Sequence, residues 1–393
     1  MGQTLSEPVK EKHSDRGSDK RIVYASSAMQ GWRISMEDAH TAELTLKDKN
    51  GYSFFGVYDG HGGQNVAKYS GAHLHERIAR DPQFSSNLED AIKNGFLGTD
   101  EDLKNDPQYA NDPSGCTAVT AVVTPDDWIF VGNAGDSRAV MSKDGDALPM
   151  SIDHKPLNKE ESSRIQKAGG FVEFGRVNGN LALSRAIGDF EFKQNPNLSP
   201  EEQIVTELII REKTEFLVLA CDGIWDCLSS QQVVNFIRRD IAQSKSLQTA
   251  CENLMERCLA KDSELGGIGC DNMTVIIVGF LNGKNENDWY DWMASRYGNV
   301  GPIPSEQADE YLPDDNDLEN QNELTIDDIP HRRESTDSDI SSRSNSTDNN
   351  NSSAESTTIH KSPTEEAVNS VSSDGKETGK NPYNSKTWPG SKK

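Results

Sequence analysis

The chain has 393 residues, 34% of them hydrophobic, and a formal net charge of −24. So acidic a composition argues against a nucleic-acid binder, which needs a basic face to meet phosphates. No run reaches the ~20 apolar residues that cross a bilayer, and no hydrophobic secretory leader opens the chain.

In chain order, Met1-Gly2-Gln3-Thr4-Leu5-Ser6 matches the pattern for myristoylation of Gly2. No polybasic cluster follows, and one acyl chain binds membranes only reversibly, so at most transient membrane contact is expected. From Ala28 to His40 the chain gathers Arg33, Glu37 and Asp38 around Gly31. Arg33 offers a planar fork of donors that suits a phosphate, or equally a structural ion pair with Glu37 or Asp38. Read as a strand, this stretch puts Arg33, Ser35 and Glu37 on one face and Asp38 on the other. One acid can then approach a metal while its neighbour orients water.

The aromatic and β-branched run Tyr52–Tyr58 predicts a strand that stops at Asp59-Gly60-His61-Gly62-Gly63. The glycines admit a carbonyl or ligand close to the carboxylate, and hard divalent cations prefer such oxygen donors. An ordinary acid in a glycine turn is the alternative. Helices are predicted over Gln64–Arg80, with Val66, Tyr69, Leu74 and Ile78 on its apolar face, and from an Asn87 cap, burying Leu88, Ala91 and Ile92. Cys116–Val123, Trp128–Ala134 and Arg138–Met141 read as an antiparallel meander, with Asp136 in a turn that is either a simple β-turn or another oxygen ligand.

Asn158-x-x-Glu161 reads as a capping box. Around it, Asp153–Pro156 and Arg176–Asp189 form a polar insertion fit to flank a cleft, in which His154 reads as a hydrogen-bonded structural residue. Glu215–Cys221 is an apolar run ending in Asp222-Gly223, the design already seen at Asp59-Gly60, and Asp271-Asn272 precedes the strand Met273–Gly279. Helices over Ser229–Gln243 and Ser246–Asp262 lie between. Strands that are apolar on both faces need cover on both. The expected fold is therefore α+β: a four-layer α/β/β/α sandwich, two stacked antiparallel sheets flanked by helices.

The six cysteines form no C-x-x-C pair and sit mostly in apolar runs, as reduced core thiols of a cytoplasmic, or also nuclear, protein do. After Gly283 apolar runs thin out. The boundaries read as an arm over 1–22, a folded domain over 23–283, a linker with the aromatic cluster Trp289–Met293 over 284–313, and a disordered acidic Ser/Asn-rich tail over 314–393. Arg332-Arg333-Glu334-Ser335 resembles a basophilic kinase site, so the tail is either regulated by phosphorylation or simply solubilising, and the sequons at Asn345 and Asn351 are expected to stay bare.

The ordered motifs Gln30-Gly31-Trp32-Arg33-x-x-Met36-Glu37-Asp38, Tyr58–Gly63, Ser114–Ala118, Asn133–Arg138, Leu183–Asp189, Ala220–Asp226 and Asp271–Thr274 resemble those of the metal-dependent protein serine/threonine phosphatases of type 2C, in a eukaryotic form. The resemblance covers about Ala25 to Phe280. One departure is Val205–Ile210, which lacks the proline and acid common in that family. The resemblance implies hydrolysis of phosphoserine and phosphothreonine in proteins by a hydroxide bridging two magnesium or manganese ions, without a phosphoenzyme, in down-regulation of kinase pathways. It assigns Asp59 to bridge the ions, the Gly60 carbonyl to one, and Glu37, Asp222 and Asp271 to the other. Asp136 would join Asp222 around a weaker third ion. Asp38 would hold the attacking water, Arg33 grip the phosphate, and His61 protonate the departing oxygen. Partners implied are phosphorylated proteins, protein kinases being one candidate class, met by a monomer. A catalytically dead binding relative would have lost a metal acid, which this chain has not, and a nuclease is disfavoured by the negative charge.

Overall fold

The computed structural model describes residues 4–193, 214–263 and 267–297. Gly2, Val205–Ile210, Arg332–Ser335, the two sequons and the tail over 314–393 lie outside the described residues. The strands are β1 (Thr4–Ser18), β2 (Ile22–Arg33), β3 (Ala39–Glu43), β4 (Ser53–Tyr58), β5 (Gly60–His61), β6 (Gly115–Cys116), β7 (Ala118–Val123), β8 (Ile129–Ala134), β9 (Arg138–Lys143), β10 (Asp146–Pro149), β11 (Val172–Glu173), β12 (Arg176–Val177), β13 (Ile187–Gly188), β14 (Phe216–Ala220) and β15 (Met273–Phe280). The helices are α1 (Asn65–Arg80), α2 (Leu88–Asn105), α3 (Lys159–Lys167), α4 (Asp222–Trp225), α5 (Ser230–Ser244), α6 (Leu247–Cys258) and α7 (Glu286–Tyr297).

Two antiparallel sheets stack, one of six strands in the order β1-β2-β15-β14-β9-β10 and one of four in the order β3-β4-β7-β8. Strand alternation assigns each side chain to a layer. In β14, Leu217 and Leu219 enter the core between the sheets with Phe55, Val57 and Ile276, while Phe216, Val218 and Ala220 face α5 and α6. In β4, Phe55 and Val57 face inward, and Phe54 and Tyr58 pack under α1 and α2. Helix cover on both outer faces is what permits strands without a polar side, and the result is the four-layer sandwich. The described cysteines are all buried and unbridged. Among the described residues no helix is long and apolar enough to cross a membrane.

Four features differ from the sequence reading. The meander is broken: β7 pairs with β8, but β9 crosses to the other sheet and pairs with β14. The segment Thr4–Ser18, read as an arm, is the edge strand paired with β2. The stretch read as a linker carries α7, whose Trp289 and Met293 are fully buried against the helix layer, because its aromatic residues recur on one helical face. The Asn158 capping box does not form: Asn158 Nδ2 donates to the Asp153 carbonyl at 2.8 Å, and the Glu161 carboxylate is taken by Arg164 and Arg185. By contrast Ser229 and Gln232 do form a reciprocal box at the start of α5, and Asn87 caps α2 as expected.

Candidate metal centre and phosphate site

Strand ends from both sheets meet at one edge. β4 delivers Asp59, β2 ends on Arg33, β14 leads through Cys221 to Asp222 as the first residue of α4, and Asp271-Asn272 enters β15. Asp136 lies between β8 and β9, so the crossing from one sheet to the other is what brings it to this edge. The cleft they surround measures about 700 Å³ and is lined by Arg33, Glu37, Asp59, Gly60, His61, Asp136, Asp222, Asp226 and Asp271, with Lys155, Arg176 and Asn180–Leu183 of the insertion as its outer wall.

The strand β2 stops at Arg33, so the sheet alternation expected for residues 33–38 does not hold. Asn272 shapes the loop instead. Its Nδ2 donates to the Gln30 carbonyl at 2.8 Å and to the Ser35 carbonyl at 3.0 Å, while its Oδ1 accepts from the Glu37 amide at 2.9 Å. The Glu37 carboxylate then accepts from Ser35 Oγ at 2.8 Å and from the Gly63 amide at 3.2 Å, which aims it into the cleft. Arg33 Nη2 pairs with Asp271 Oδ2. Asp38 turns beneath the cleft floor, where Thr274 Oγ1 donates to its Oδ2 at 2.6 Å and its Oδ1 is buried without a partner. Gly60 has to be glycine, since a Cβ there would lie 2.3 Å from the Glu37 carbonyl oxygen.

Charge at this edge is left unbalanced. Desolvation, followed by repulsion from Asp222, Asp38 and Asp271, pushes the Asp59 carboxyl well above the usual carboxylate range. Asp222 is likewise lifted by desolvation and then by Asp136, Asp226 and Asp271. Burial pushes Asp38 up to about 7, against the opposing Thr274 hydrogen bond. Burial also raises Asp271, and Arg33 only partly offsets it. Lys155 pairs with Asp136 Oδ2, leaving the buried Oδ1 of Asp136 unpartnered.

This donor set fits hard divalent cations. It is carboxylate and carbonyl oxygen, two of its buried oxygens lack any partner, and ligand atoms of Asp38, Asp59 and Cys221 lie within 4.8 Å of one another. The Cys221 thiol is no ligand for such an ion, because burial holds it protonated and it accepts from the Thr274 amide at 3.2 Å.

Of the residues singled out from sequence, Arg33, Glu37, Asp59, Gly60, His61, Asp136, Asp222 and Asp271 line the cleft together, and Asp38 lies just behind. His154 is a structural histidine: its Nδ1 accepts from the Gly135 amide at 3.2 Å, and burial pulls it down to about 3. Sequence reasoning missed Asn272, Thr274, Asp189, Asp226 and Lys155. The first four lie in or beside motifs already quoted, Asp226 one helical turn beyond Asp222, and Lys155 lies in the insertion expected to flank a cleft, although its pairing with Asp136 had no local signal.

An acid-walled centre for divalent cations beside a guanidinium defines a metal-dependent phosphoryl hydrolase. The family model described as "Protein phosphatase 2C" matches residues 22–265. The chain is 54% identical over 326 residues to "Protein phosphatase 2C homolog 2" of Hypocrea jecorina, covering 79% of this chain and 74% of that one. It is 55% identical over 307 residues to the Schizosaccharomyces pombe protein of the same description, covering 75% and 83%. A solved Toxoplasma gondii phosphatase superposes with a TM-score of 0.58 at 25% identity, covering 69% of this chain and 96% of that one. The chain belongs to the protein phosphatase 2C family. It is a hydrolase acting on phosphoproteins at serine and threonine, and its family depends on magnesium or manganese.

Proposed function

We propose that the chain dephosphorylates phosphoserine and phosphothreonine proteins by direct attack of water on phosphorus, using two divalent ions and no covalent phosphoenzyme. One observation supports the reading: six carboxylates, Glu37, Asp59, Asp136, Asp222, Asp226 and Asp271, share a cleft with the phosphate-ready guanidinium of Arg33 and have too little positive charge around them. Glu37, Asp59, Asp222, Asp271 and the Gly60 carbonyl would hold the two ions, with Asp136 beside Asp222 for a weaker third. Bound there, the ions would lower the pKa of a coordinated water toward neutrality and neutralise the phosphate charge.

The chain's own residues do the rest. Arg33, held by Asp271, grips the phosphate oxygens and sets the angle of attack. Asp38, its Oδ2 fixed by Thr274, offers Oδ1 to the attacking water. His61 gives a proton to the departing serine or threonine oxygen. The substrates are phosphorylated proteins of kinase pathways, met in the cytoplasm.

Phosphate release from a phosphothreonine peptide, with manganese and with excess EDTA, tests the reading. A phosphothreonine peptide made chiral at phosphorus with oxygen isotopes should release phosphate with inverted configuration, and retention would mean two displacements through a phosphoenzyme. Equal turnover with EDTA removes the metal mechanism, and none with ample manganese removes the enzyme.

A further inference from the structure

We propose that Asp189 is the positioning residue of His61, fixing the ring so that Nδ1 is the nitrogen that serves the departing oxygen. This rests on the reading of His61 as proton donor given above. His61 Nε2 lies 2.7 Å from Asp189 Oδ2. A carboxylate can only accept, so Nε2 carries the hydrogen of that bond. His61 lines the catalytic cleft, and Asp189 lines a separate cavity of about 180 Å³ behind it, so the carboxylate reaches substrate only through the ring.

The backbone is built for this contact. In the three-stranded sheet β13-β6-β5, Gly115 pairs with His61 on one side and Gly188 on the other. A Cβ on Gly115 would lie 2.5 Å from Asp189 Oδ2, so only glycine leaves room for the carboxylate behind the ring. Asp189 itself sits at φ +50°, a left-handed conformation that non-glycine residues seldom take. The turn is braced from outside: Asp100 Oδ1 accepts from the Gly188 amide at 2.8 Å and from Lys193 Nζ at 2.6 Å. A strained acid, 6% exposed and aimed at one imidazole, is a costly arrangement for a residue with no task.

In the step itself the phosphorus–oxygen bond to threonine breaks as water oxygen bonds to phosphorus, the water keeping one proton on the released phosphate and giving the other to Asp38 Oδ1. The departing oxygen takes the Nδ1 proton, and the neutral ring keeps Nε2–H on Asp189. A leaving group that departs without a proton, such as the nitrophenolate of p-nitrophenyl phosphate, has little use for this device.

The test measures kcat and KM for Asp189→Ala, Asp189→Asn, His61→Gln and the double variant His61→Gln/Asp189→Ala, on a phosphothreonine peptide and on p-nitrophenyl phosphate at saturating manganese. Asp189→Ala should lose about 10²-fold in kcat on the peptide, with a loss at least about tenfold smaller on the aryl ester and KM little moved. Asp189→Asn, which keeps the shape, should fall between and carries the test if the alanine variant does not fold. The double variant should be no slower than His61→Gln alone. Equal losses on both substrates for the Asp189 variants, or a further drop in the double variant, would overturn the assignment. Equal losses on both substrates for His61→Gln would instead overturn the role of His61 itself.

Discussion

Asp59 on the floor of the cleft and Glu161 in the insertion that walls it are both carboxylates largely taken out of water, yet their surroundings move them in opposite directions. Burial works against the charge of each. Around Glu161 two guanidiniums more than offset it: Arg185 donates from Nε at 2.9 Å and Nη2 at 2.5 Å, and Arg164 from Nη2 at 2.9 Å, holding the carboxyl well below its usual range. Around Asp59 burial is joined by repulsion from four further carboxylates, Asp222, Asp38, Asp271 and Asp136, and the carboxyl is driven up. The insertion thus completes its own charge balance within the chain, whereas the cleft leaves its balance to something the chain does not contain. Burial of an acid is common to both sites, so the missing counter-charge is what marks the functional one.

The sharpest way to break this contrast is Asp59→Asn. If Asp59 is there for cations, turnover should fall on the order of 10³-fold. The metal-free protein should at the same time become more stable by about 1–3 kcal/mol, because an uncompensated charge has been removed. In the wild type, saturation with magnesium or manganese should raise stability by mass action, about 2.7 kcal/mol at a hundredfold excess over the dissociation constant, and the variant should lose most of that gain. Thermal melts with EDTA and with manganese read both effects. A variant less stable than wild type in EDTA would mean that the fold, and not the ion, uses this carboxylate.

Glu161→Gln should behave in the reverse sense. Turnover at saturating manganese should change far less, while stability at neutral pH should drop by about 3 kcal/mol, since two arginines are left without their anion. The pH dependence has a definite sign. Because the native carboxyl lies below its ordinary value of about 4.3, Glu161 contributes stability that is fully present above about pH 4.3 and is lost as pH falls through the native value. Urea midpoints followed from pH 6 to 3 should therefore decline more steeply for wild type than for the variant, and parallel curves would contradict the pairing.

The same contrast explains how much could be read from sequence. Three acids of the cleft announce themselves because each stands at the end of an apolar strand next to a glycine or asparagine, a local signal at Asp59-Gly60, Asp222-Gly223 and Asp271-Asn272. The layers were legible for a similar reason, since runs such as Phe216–Ala220 have no polar face and must be covered twice. Glu161 was misread because its local signal, three residues after Asn158, matched a capping box, while its partner Arg185 is 24 residues away. Asp136 was seen in its turn, but the meander assigned to its strands was wrong, because crossing to the second sheet is decided by long-range pairing with β14. Asp189 and Thr274 act on other side chains across 128 and 236 residues, a separation no spacing rule addresses.

The smallest effect separates charge from shape at Glu161. Arg185→Lys keeps the positive charge but replaces a two-point fork with a single ammonium, so one of the two hydrogen bonds to the carboxylate is lost. Arg164 still holds Oε2 and donates to the Ser184 carbonyl at 2.5 Å, so the acid is not left unpaired. The cost should be about 1 kcal/mol, against about 3 kcal/mol for Arg185→Met, which removes the charge as well. Equal costs for lysine and methionine in urea titrations would show that fork geometry alone fixes the insertion. In that case the opposite displacements of Glu161 and Asp59 would reflect hydrogen bonding at one site and repulsion at the other, and charge balance would no longer be what distinguishes them.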